Sequence, residues 1–337
     1  MESRWRDLVI LDYEVDFPAA SRLELALYSA GAALFPRVLL GEPAPWGRHR
    51  RPGVLEIPAV RYDRLLDDFG ARCADPSFVR RLGARLHACL DRLARATRRL
   101  EPPAPPRRGR IVKAVEALAE LMAFHVLNWA LPLDDIRRWL ARLTGSPHAA
   151  RGLLMRLLVP TNPAHLADFA ALAASAHHDL RAGDWSPRRA AQLATDVGHL
   201  QSPGLARPFD DPAVLETYLR SLGPDDAAYL DAMRSARDDA RRRLARDTAL
   251  LLLTAGDAAA VARTWALTTV CRLAAEEEEQ RRRWQGRSLR AIGTAAAHQR
   301  VAPDRLLPRA CHLPPTPPEA PRPIVDPTAA GWAWLSC

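Results

Sequence analysis

The sequence has almost no lysine: Lys113 is the single lysine among 48 basic residues, so arginine carries nearly all of the positive charge. The formal net charge is +9, but the arginines are spread along the 337 residues and often stand beside acidic residues. A nucleic-acid interface requires basic side chains that cluster on one face. We therefore expect no nucleic-acid partner.

Long apolar runs and paired cysteines are also missing. The longest apolar run, from Ala249 to Ala255, is far shorter than the ~20 residues that a membrane-spanning helix needs. The five cysteines form no CxxC pair, and the first residues are acidic and lack the apolar centre of a signal peptide. These features predict free thiols, no membrane contact and a cytoplasmic location.

Several motifs of nucleotide-binding and hydrolytic enzymes do not occur. The sequence has no GxxxxGK[ST] phosphate loop, no GxGxxG, no HExxH and no GxSxG. The missing phosphate loop argues against direct ATP binding. We expect no cofactor in this chain.

The fold class follows from apolar periodicity and from the scarcity of strand signals. Only Leu8 to Leu11 and Gly53 to Val60 look extended, and most of the remaining sequence has helical spacing. We predict an all-α protein, a multi-helix bundle in two packed parts with a proline-rich C-terminal tail. The predicted divisions are an N-terminal helical part at 1–100, a proline-rich linker at 101–110, a main helical domain at 111–312 and an extended tail at 313–337.

Three segments of the main domain bear on a site. Residues 111–131 are apolar around most of the helix circumference, which predicts one helix in the centre of the core. Residues 224–298 predict two long helices divided at Gly256, with Asp257 as the N-cap of the second. That second helix carries four glutamates and then three arginines at 276–283, which at i,i+4 spacing favours a solvated charged face or a surface that grips a partner domain.

The histidines and aromatic residues give two interpretations of the central helix. His125 stands in the apolar segment with Phe124 before it and Trp129 one turn later. It is either a hydrogen-bonded core histidine or, with Trp129, part of a pocket wall for an apolar ligand. Elsewhere His165 and Asp168 share a helix face, but two ligands do not form a zinc site, so we predict no metal.

Aspartate pairs recur along the chain and suggest a further alternative. The pairs start at Asp67, Asp134, Asp210, Asp225 and Asp238. An all-helical enzyme that uses Mg²⁺ to bind a diphosphate needs carboxylates one turn apart that face a cavity. The spacing here favours helix N-caps and surface charge, and a diphosphate-using enzyme stays an alternative.

Residues 196–212, DVGHLQSPGLARPFDDP, are a loop rich in turn residues that resembles an element of the phosphoenolpyruvate-utilising enzymes. The likeness is to the phosphoenolpyruvate synthase and rifampicin phosphotransferase type, in which a Gly-His pair is followed by a glycine and an Arg-containing segment that ends in Asp-Pro. The residues that match are Gly198, His199, Gly204, Arg207, Asp211 and Pro212. A second similar element is the glutamate-rich helix at 274–293, followed by the Pro303-Asp304 turn.

The resemblance covers residues 111–307 and implies the central helical region of that family, which binds the substrate. The sequence lacks the glycine-rich stretch that marks the family's phosphate-carrying histidine, and no ATP-grasp region precedes the helices. The resemblance therefore implies a stand-alone substrate-binding module that works with separate ATP-binding (ATP-grasp) and phosphohistidine-domain proteins. ATP would be bound by a partner protein.

The ligand implied by this resemblance is a bulky, partly apolar small molecule. Its contacts would include Gly198, His199 and Arg207, with His199 ordering the loop or touching the substrate rather than carrying phosphate. His125 and Trp129 complete the predicted binding residues. The alternative is a non-enzymatic helical scaffold or interaction protein, which the missing catalytic constellation and the tryptophans of the tail, Trp332 and Trp334, favour.

Overall fold

The computed structural model describes residues 5–9, 22–41, 48–51, 54–100, 107–158, 164–197 and 212–301. Helices dominate this part of the chain, which confirms the predicted all-α, multi-helix class. The helices are α1 Arg22–Phe35, α2 Ala59–Arg72, α3 Pro76–Arg98, α4 Arg108–Phe124, α5 Leu127–Ala130, α6 Leu133–Thr144, α7 Pro147–Leu158, α8 Ala164–Ala182, α9 Pro187–Val197, α10 Pro212–Ser221, α11 Pro224–Thr254 and α12 Ala258–His298. A π-helical turn, Pro36–Leu40, continues α1.

A small antiparallel sheet stands beside the helices. Its strands are β1 Trp5–Val9, β2 Arg48–Arg51 and β3 Val54–Pro58, in the order β1-β3-β2. Leu8 pairs with Leu55, and Arg48 pairs with Glu56 across β2 and β3. The two segments predicted to be extended overlap β1 and β3, whereas β2 was not predicted.

The predicted ends of the long C-terminal helices are confirmed. α11 and α12 are divided at Gly256, which has a φ of +86°. Asp257 is the N-cap of α12, and its Oδ1 accepts a hydrogen bond from the backbone N–H of Ala260 at 2.8 Å. A side-chain oxygen at this position satisfies a donor that the helix cannot satisfy itself.

The prediction of one helix over 111–131 is wrong in one respect. α4 ends at Phe124, and a tight turn at His125 and Val126 separates it from the short α5. The backbone N–H groups of both turn residues donate to carbonyls three residues earlier, at 3.2 and 3.4 Å. The turn places His125 at a helix end rather than in the middle of a continuous helix.

Two hydrophobic clusters form the core of the described residues. The larger one joins side chains of α1 to α7 with those of α11 and α12, and Phe35, Phe69 and Phe124 are among its largest fully buried members. The smaller one joins α8, α9 and α10 through Ala176, Leu193 and neighbouring residues. Because α3 and α4 contribute to the same cluster, side chains on both sides of 101–110 share one core; the predicted domain boundaries stay a prediction.

The closest helix contact that bears on the site joins α1 to α4. A Cβ built on Gly31 would lie 2.5 Å from the backbone carbon and Cβ of Met122. Only glycine allows the two backbones to come this near. The contact brings the turn before Gly31, which carries Tyr28, against the turn after Met122, which carries His125.

Across the helices that the structure describes, none combines the length and the apolar character needed to cross a bilayer.

Candidate functional site: a buried polar centre

A row of polar side chains runs along the buried face of α12. Glu277, Arg281, Gln285 and Ser288 follow one another at spacings of four, four and three residues, which places them on one face of a helix. Glu277 and Ser288 are fully buried, and Arg281 and Gln285 are 5% and 1% exposed. We call the group formed by Tyr28, His125, Glu277, Glu278, Arg281 and Gln285 the polar centre.

The Arg281 guanidinium connects the members of the polar centre. Its Nη1 donates hydrogen bonds to Tyr28 Oη and to Gln285 Oε1, each at 2.9 Å. Its Nε lies 3.3 Å from Glu277 Oε1, and its Nη2 donates to Glu278 Oε2 at 2.5 Å. One cation therefore contacts two carboxylates, a phenol and an amide in the core.

The charge of Arg281 is maintained by these neighbours. Burial by itself lowers the pKa of Arg281, because desolvation disfavours the charged form. The electrostatic influence of Tyr28, Glu277 and Glu278 outweighs burial and raises the pKa above its ordinary value. The polar centre is thus built around a permanent buried cation.

His125 closes the polar centre on the side of α4. Its ring meets the ring of Tyr28 edge to face, with the centroids 5.6 Å apart. Its Nδ1 lies 3.9 Å from Glu277 Oε2 and 3.7 Å from Glu278 Oε2. The side chains of His125 and Glu278 are 19% and 28% exposed, so this end of the centre meets solvent while the Glu277 carboxylate does not.

The four consecutive glutamates of α12 point to different partners. Glu276 Oε1 lies 3.0 Å from His87 Nε2 on α3, and Glu279 Oε2 lies 3.6 Å from Arg241 Nη2 on α11. Glu277 and Glu278 face inwards to Arg281, as described above. The sequence-based interpretation of a solvated charged face is therefore wrong for Glu277 and Arg281, because both lie on the face of α12 that packs against the core.

Among the predicted binding residues, the structure brings His125 to this centre. Trp129 lies in α5, and its side chain is outside the described residues. Gly198, His199 and Arg207 also lie outside the described residues, so their predicted role in binding stays a prediction.

Two of the aspartate pairs named in the sequence analysis have local explanations at helix starts. Asp134 and Asp135 lie in the first turn of α6 and pair with Arg137 and Arg138 three residues later. Asp226 accepts a hydrogen bond from the backbone N–H of Gly223 at the start of α11. Carboxylates are favourable at helix N-termini without any ligand.

Sequence reasoning missed Tyr28, Glu277, Arg281 and Gln285, although α12 carries a signal that points to three of them. Buried Val270 and Ala274 precede the charged run at core spacing, and buried Ile292 follows it at the same phase. If the same spacing of three and four residues is continued through the charged segment, Glu277, Arg281 and Gln285 fall on the core side of the helix. Tyr28 has no such signal, since its contact depends on how α1 meets α4.

Chemically, the polar centre offers three ligand atoms of two types, an imidazole nitrogen and two carboxylate oxygens, at one place. His125, Glu277 and Glu278 can each present one ligand atom, and these atoms all lie within 4.8 Å of one another. Arg281 lies beside them as a positive charge, and its Nη groups are bonded to Tyr28, Gln285 and Glu278. The centre can therefore hold a cation between the imidazole and the carboxylates, or a polar group of a small molecule at its solvent-facing end.

Comparison with known proteins found no matching family model, no matching curated protein and no matching solved structure.

Proposed function

We propose that this chain is a helical binding module that takes a bulky, partly apolar small molecule at the solvent-facing end of the polar centre. In this proposal it acts with separately encoded ATP-binding and phosphocarrier proteins. The observation that carries the proposal is the buried polar centre itself, set in an otherwise apolar core on the glutamate-rich helix of the resemblance.

The physical argument starts from the cost of the polar centre. Taking an arginine and a glutamate out of water costs several kcal/mol for each ion by general estimates, and apolar residues of similar volume are often at least as stabilising. A buried network of this kind therefore favours a role beyond stability. In helical bundles, ligand sites are commonly built in the core from side chains of facing helices.

The surroundings of His125 supply both ligand characters. At the solvent-facing end, the His125 ring is 19% exposed and offers an apolar surface, and the Glu278 carboxylate is 28% exposed and offers charge. Tyr28 and Arg281 are buried behind these two side chains and contact them. A ligand with an apolar body and one polar group fits this combination. We assign no catalytic step to the chain.

The same contacts support an alternative, a non-enzymatic scaffold. Arg281, Tyr28 and Gln285 are joined by hydrogen bonds, and a hydrogen-bonded polar network can fix one helix arrangement without a ligand. Under this alternative the polar centre is structural, and the protein works through its surface or its C-terminal tail.

Ligand binding is tested by thermal stability of the full chain against bulky, partly apolar compounds, with a chelator present. The expected result is a compound that raises the Tm of the wild type but not of His125→Gln. The matched control is His87→Gln, which removes a histidine that also faces a glutamate of α12 but is 58% exposed; it should respond like the wild type. Equal responses of wild type and His125→Gln would remove the site from the proposal.

Partnership is tested by co-purification of the tagged full chain from its native cell extract, with identification by mass. Recovery of an ATP-binding protein together with a histidine-bearing phosphocarrier supports the proposal; recovery of neither contradicts it. Deleting residues 313–337 separates the two functions. Loss of partner capture with intact compound binding supports the module, whereas loss of capture from a chain that binds no compound supports the scaffold.

A further inference from the structure

We infer that the polar centre is a binding site for a divalent first-row transition metal, with His125, Glu277 and Glu278 as its protein ligands. The inference goes beyond the proposed function and does not depend on it, because metal binding is measured without any organic ligand. It also departs from the expectation of a metal-free chain that the sequence supports.

The first argument is the separation of the ligand atoms. His125 Nδ1 stands 3.7 Å from one carboxylate oxygen and 3.9 Å from the other. Both separations are long for a hydrogen bond. A metal with bonds of about 2.0–2.2 Å to nitrogen and oxygen lies between ligand atoms separated by distances of this order.

The second argument is charge. Two carboxylates face one guanidinium, and Glu277 is fully buried, so the three groups together carry a net charge of one negative unit in the core. Two carboxylates beside one guanidinium attract a further cation. A dication on the two carboxylates, together with one anion at its open position, brings the sum of these charges to zero.

The third argument is how Arg281 orients the carboxylates. Arg281 Nε lies 3.3 Å from Glu277 Oε1, and Glu277 Oε2 stands on the side of His125. In metal sites, outer partners commonly orient the ligating groups, and here the Arg281 cation beside Oε1 is such a partner for the Glu277 carboxylate. Glu278 Oε2 faces both Arg281 and His125, so metal binding requires this carboxylate to share that oxygen or to turn its other oxygen inwards.

The ligand types decide the class of metal. Imidazole suits zinc, copper, iron and nickel, whereas Mg²⁺ and Ca²⁺ prefer oxygen ligands throughout. One histidine and two glutamates form a three-ligand set that leaves a coordination position open, as in catalytic zinc sites. The exposed sides of His125 and Glu278 place that open position towards solvent.

Zn²⁺ binding to the untagged full chain, freed of metal by a chelator that is then removed, tests the inference. Calorimetric titration is expected to show one equivalent bound. We expect His125→Gln and Glu278→Gln to weaken binding about tenfold or more, because losing even an outer hydrogen-bond partner of a ligand typically costs about 10–100-fold. The matched control, His87→Gln, removes an exposed histidine that faces Glu276 and should leave the affinity unchanged.

A spectroscopic readout distinguishes the site from adventitious binding. Co²⁺ in place of Zn²⁺ should give visible d–d absorption in the wild type and in His87→Gln, and this absorption should be lost in His125→Gln. Circular dichroism in the presence of a chelator checks that each variant is folded. If His125→Gln does not fold, Glu278→Gln, whose side chain is partly exposed, replaces it as the site variant. Equal Zn²⁺ affinity in the wild type and both site variants, or a loss in His87→Gln as large as in His125→Gln, overturns the inference.

The outcome separates this inference from the proposed function. If a compound binds in the presence of a chelator but Zn²⁺ does not bind, the proposed binding module is supported and the metal site is contradicted. If Zn²⁺ binds but no compound and no partner protein is found, the metal site is supported and the proposed binding module is contradicted.

Discussion

Arg281 and Tyr28 are 253 positions apart in the sequence, yet Arg281 Nη1 donates a hydrogen bond to Tyr28 Oη at 2.9 Å in the core. Tyr28 Oη in turn lies 3.3 Å from Gln285 Oε1 as a donor. The phenol therefore accepts from the buried cation and donates to the amide. This contact ties the N-terminal helix α1 to the C-terminal helix α12.

The variant Tyr28→Phe tests that tie. It keeps the ring that packs against His125 and removes the oxygen that accepts from Arg281. A hydrogen bond to a charged group contributes roughly 1.5–3 kcal/mol, so we expect the free energy of unfolding to fall by that amount. Urea denaturation in chelator measures it, and a change below ~0.5 kcal/mol would show that the phenol oxygen is not needed.

Arg281→Gln tests the charge balance of the centre. The substitution leaves the fully buried Glu277 without its cation. Breaking a buried pair from one side typically costs 3–5 kcal/mol, so we expect a loss of about this size in the free energy of unfolding. The measurement is again denaturation in chelator.

Two further variants make the Arg281 result specific. Arg137→Gln breaks an exposed pair with Asp134 three residues earlier and should cost about 1 kcal/mol or less. The double variant Glu277→Gln with Arg281→Gln should be less destabilised than Arg281→Gln alone, because it leaves no fully buried carboxylate without its cation. If Arg281→Gln lowers the free energy of unfolding no more than Arg137→Gln does, Arg281 does not compensate the buried charge of Glu277.

Much of the helical framework could be predicted from local signals. The Asp257 cap and the Gly256 break are decided within a few residues of sequence, and both are confirmed. The strand Arg48–Arg51 was not predicted because its residues, RHRR, lack the alternation of apolar and polar side chains that marks a strand. Its pairing with β3 depends on tertiary context.

The polar centre was harder to predict for a different reason. The i,i+4 pairing of Glu277 with Arg281 is visible in the sequence and is confirmed at 3.3 Å. Whether such a pair faces solvent or the core depends on which other helices cover it, and that information is not local. The spacing of the apolar residues in the flanking turns indicated which helix face is buried. The charged residues between those turns suggested a surface instead.

Gly31→Ala tests the close contact that brings Tyr28 to His125. The added Cβ would stand 2.5 Å from Met122 backbone and side-chain carbons, so α1 and α4 must move apart. Added volume in a close contact typically costs 1–3 kcal/mol, and we expect a loss at or above that range. Thermal and urea denaturation measure it.

The matched control for Gly31 is Gly293→Ala on α12. Nothing lies within 4 Å of the Cβ that alanine would add there, and alanine is the better helix former. The free energy of unfolding should rise by roughly 0.4–1 kcal/mol. If both alanine variants change stability in the same direction, the contact with Met122 is not the cause of the Gly31 effect.

The buried thiols give the protein a predictable alkaline limit. Burial raises the pKa of Cys271 to about 12, and burial followed by the nearby charge of Glu120 raises the pKa of Cys89 to about 12. Burial followed by the influence of Cys271 also raises the pKa of Cys73. In the unfolded chain these thiols ionise near pH 8.5.

The sign of the effect follows from these directions. Above pH 8.5 the unfolded chain releases thiol protons that the folded chain keeps, so each thiol's contribution is complete below that pH and is lost as the pH rises towards 12. Between pH 8 and pH 10 one such thiol should lower the free energy of unfolding by about 2 kcal/mol.

Cys89→Ala, measured in reductant by urea denaturation at both pH values, should therefore lose about 2 kcal/mol less than the wild type over this interval. The comparison uses only the pH-dependent difference, so the cavity that alanine leaves cancels. An identical fall in both proteins would mean that Cys89 ionises as readily in the folded core as in the unfolded chain.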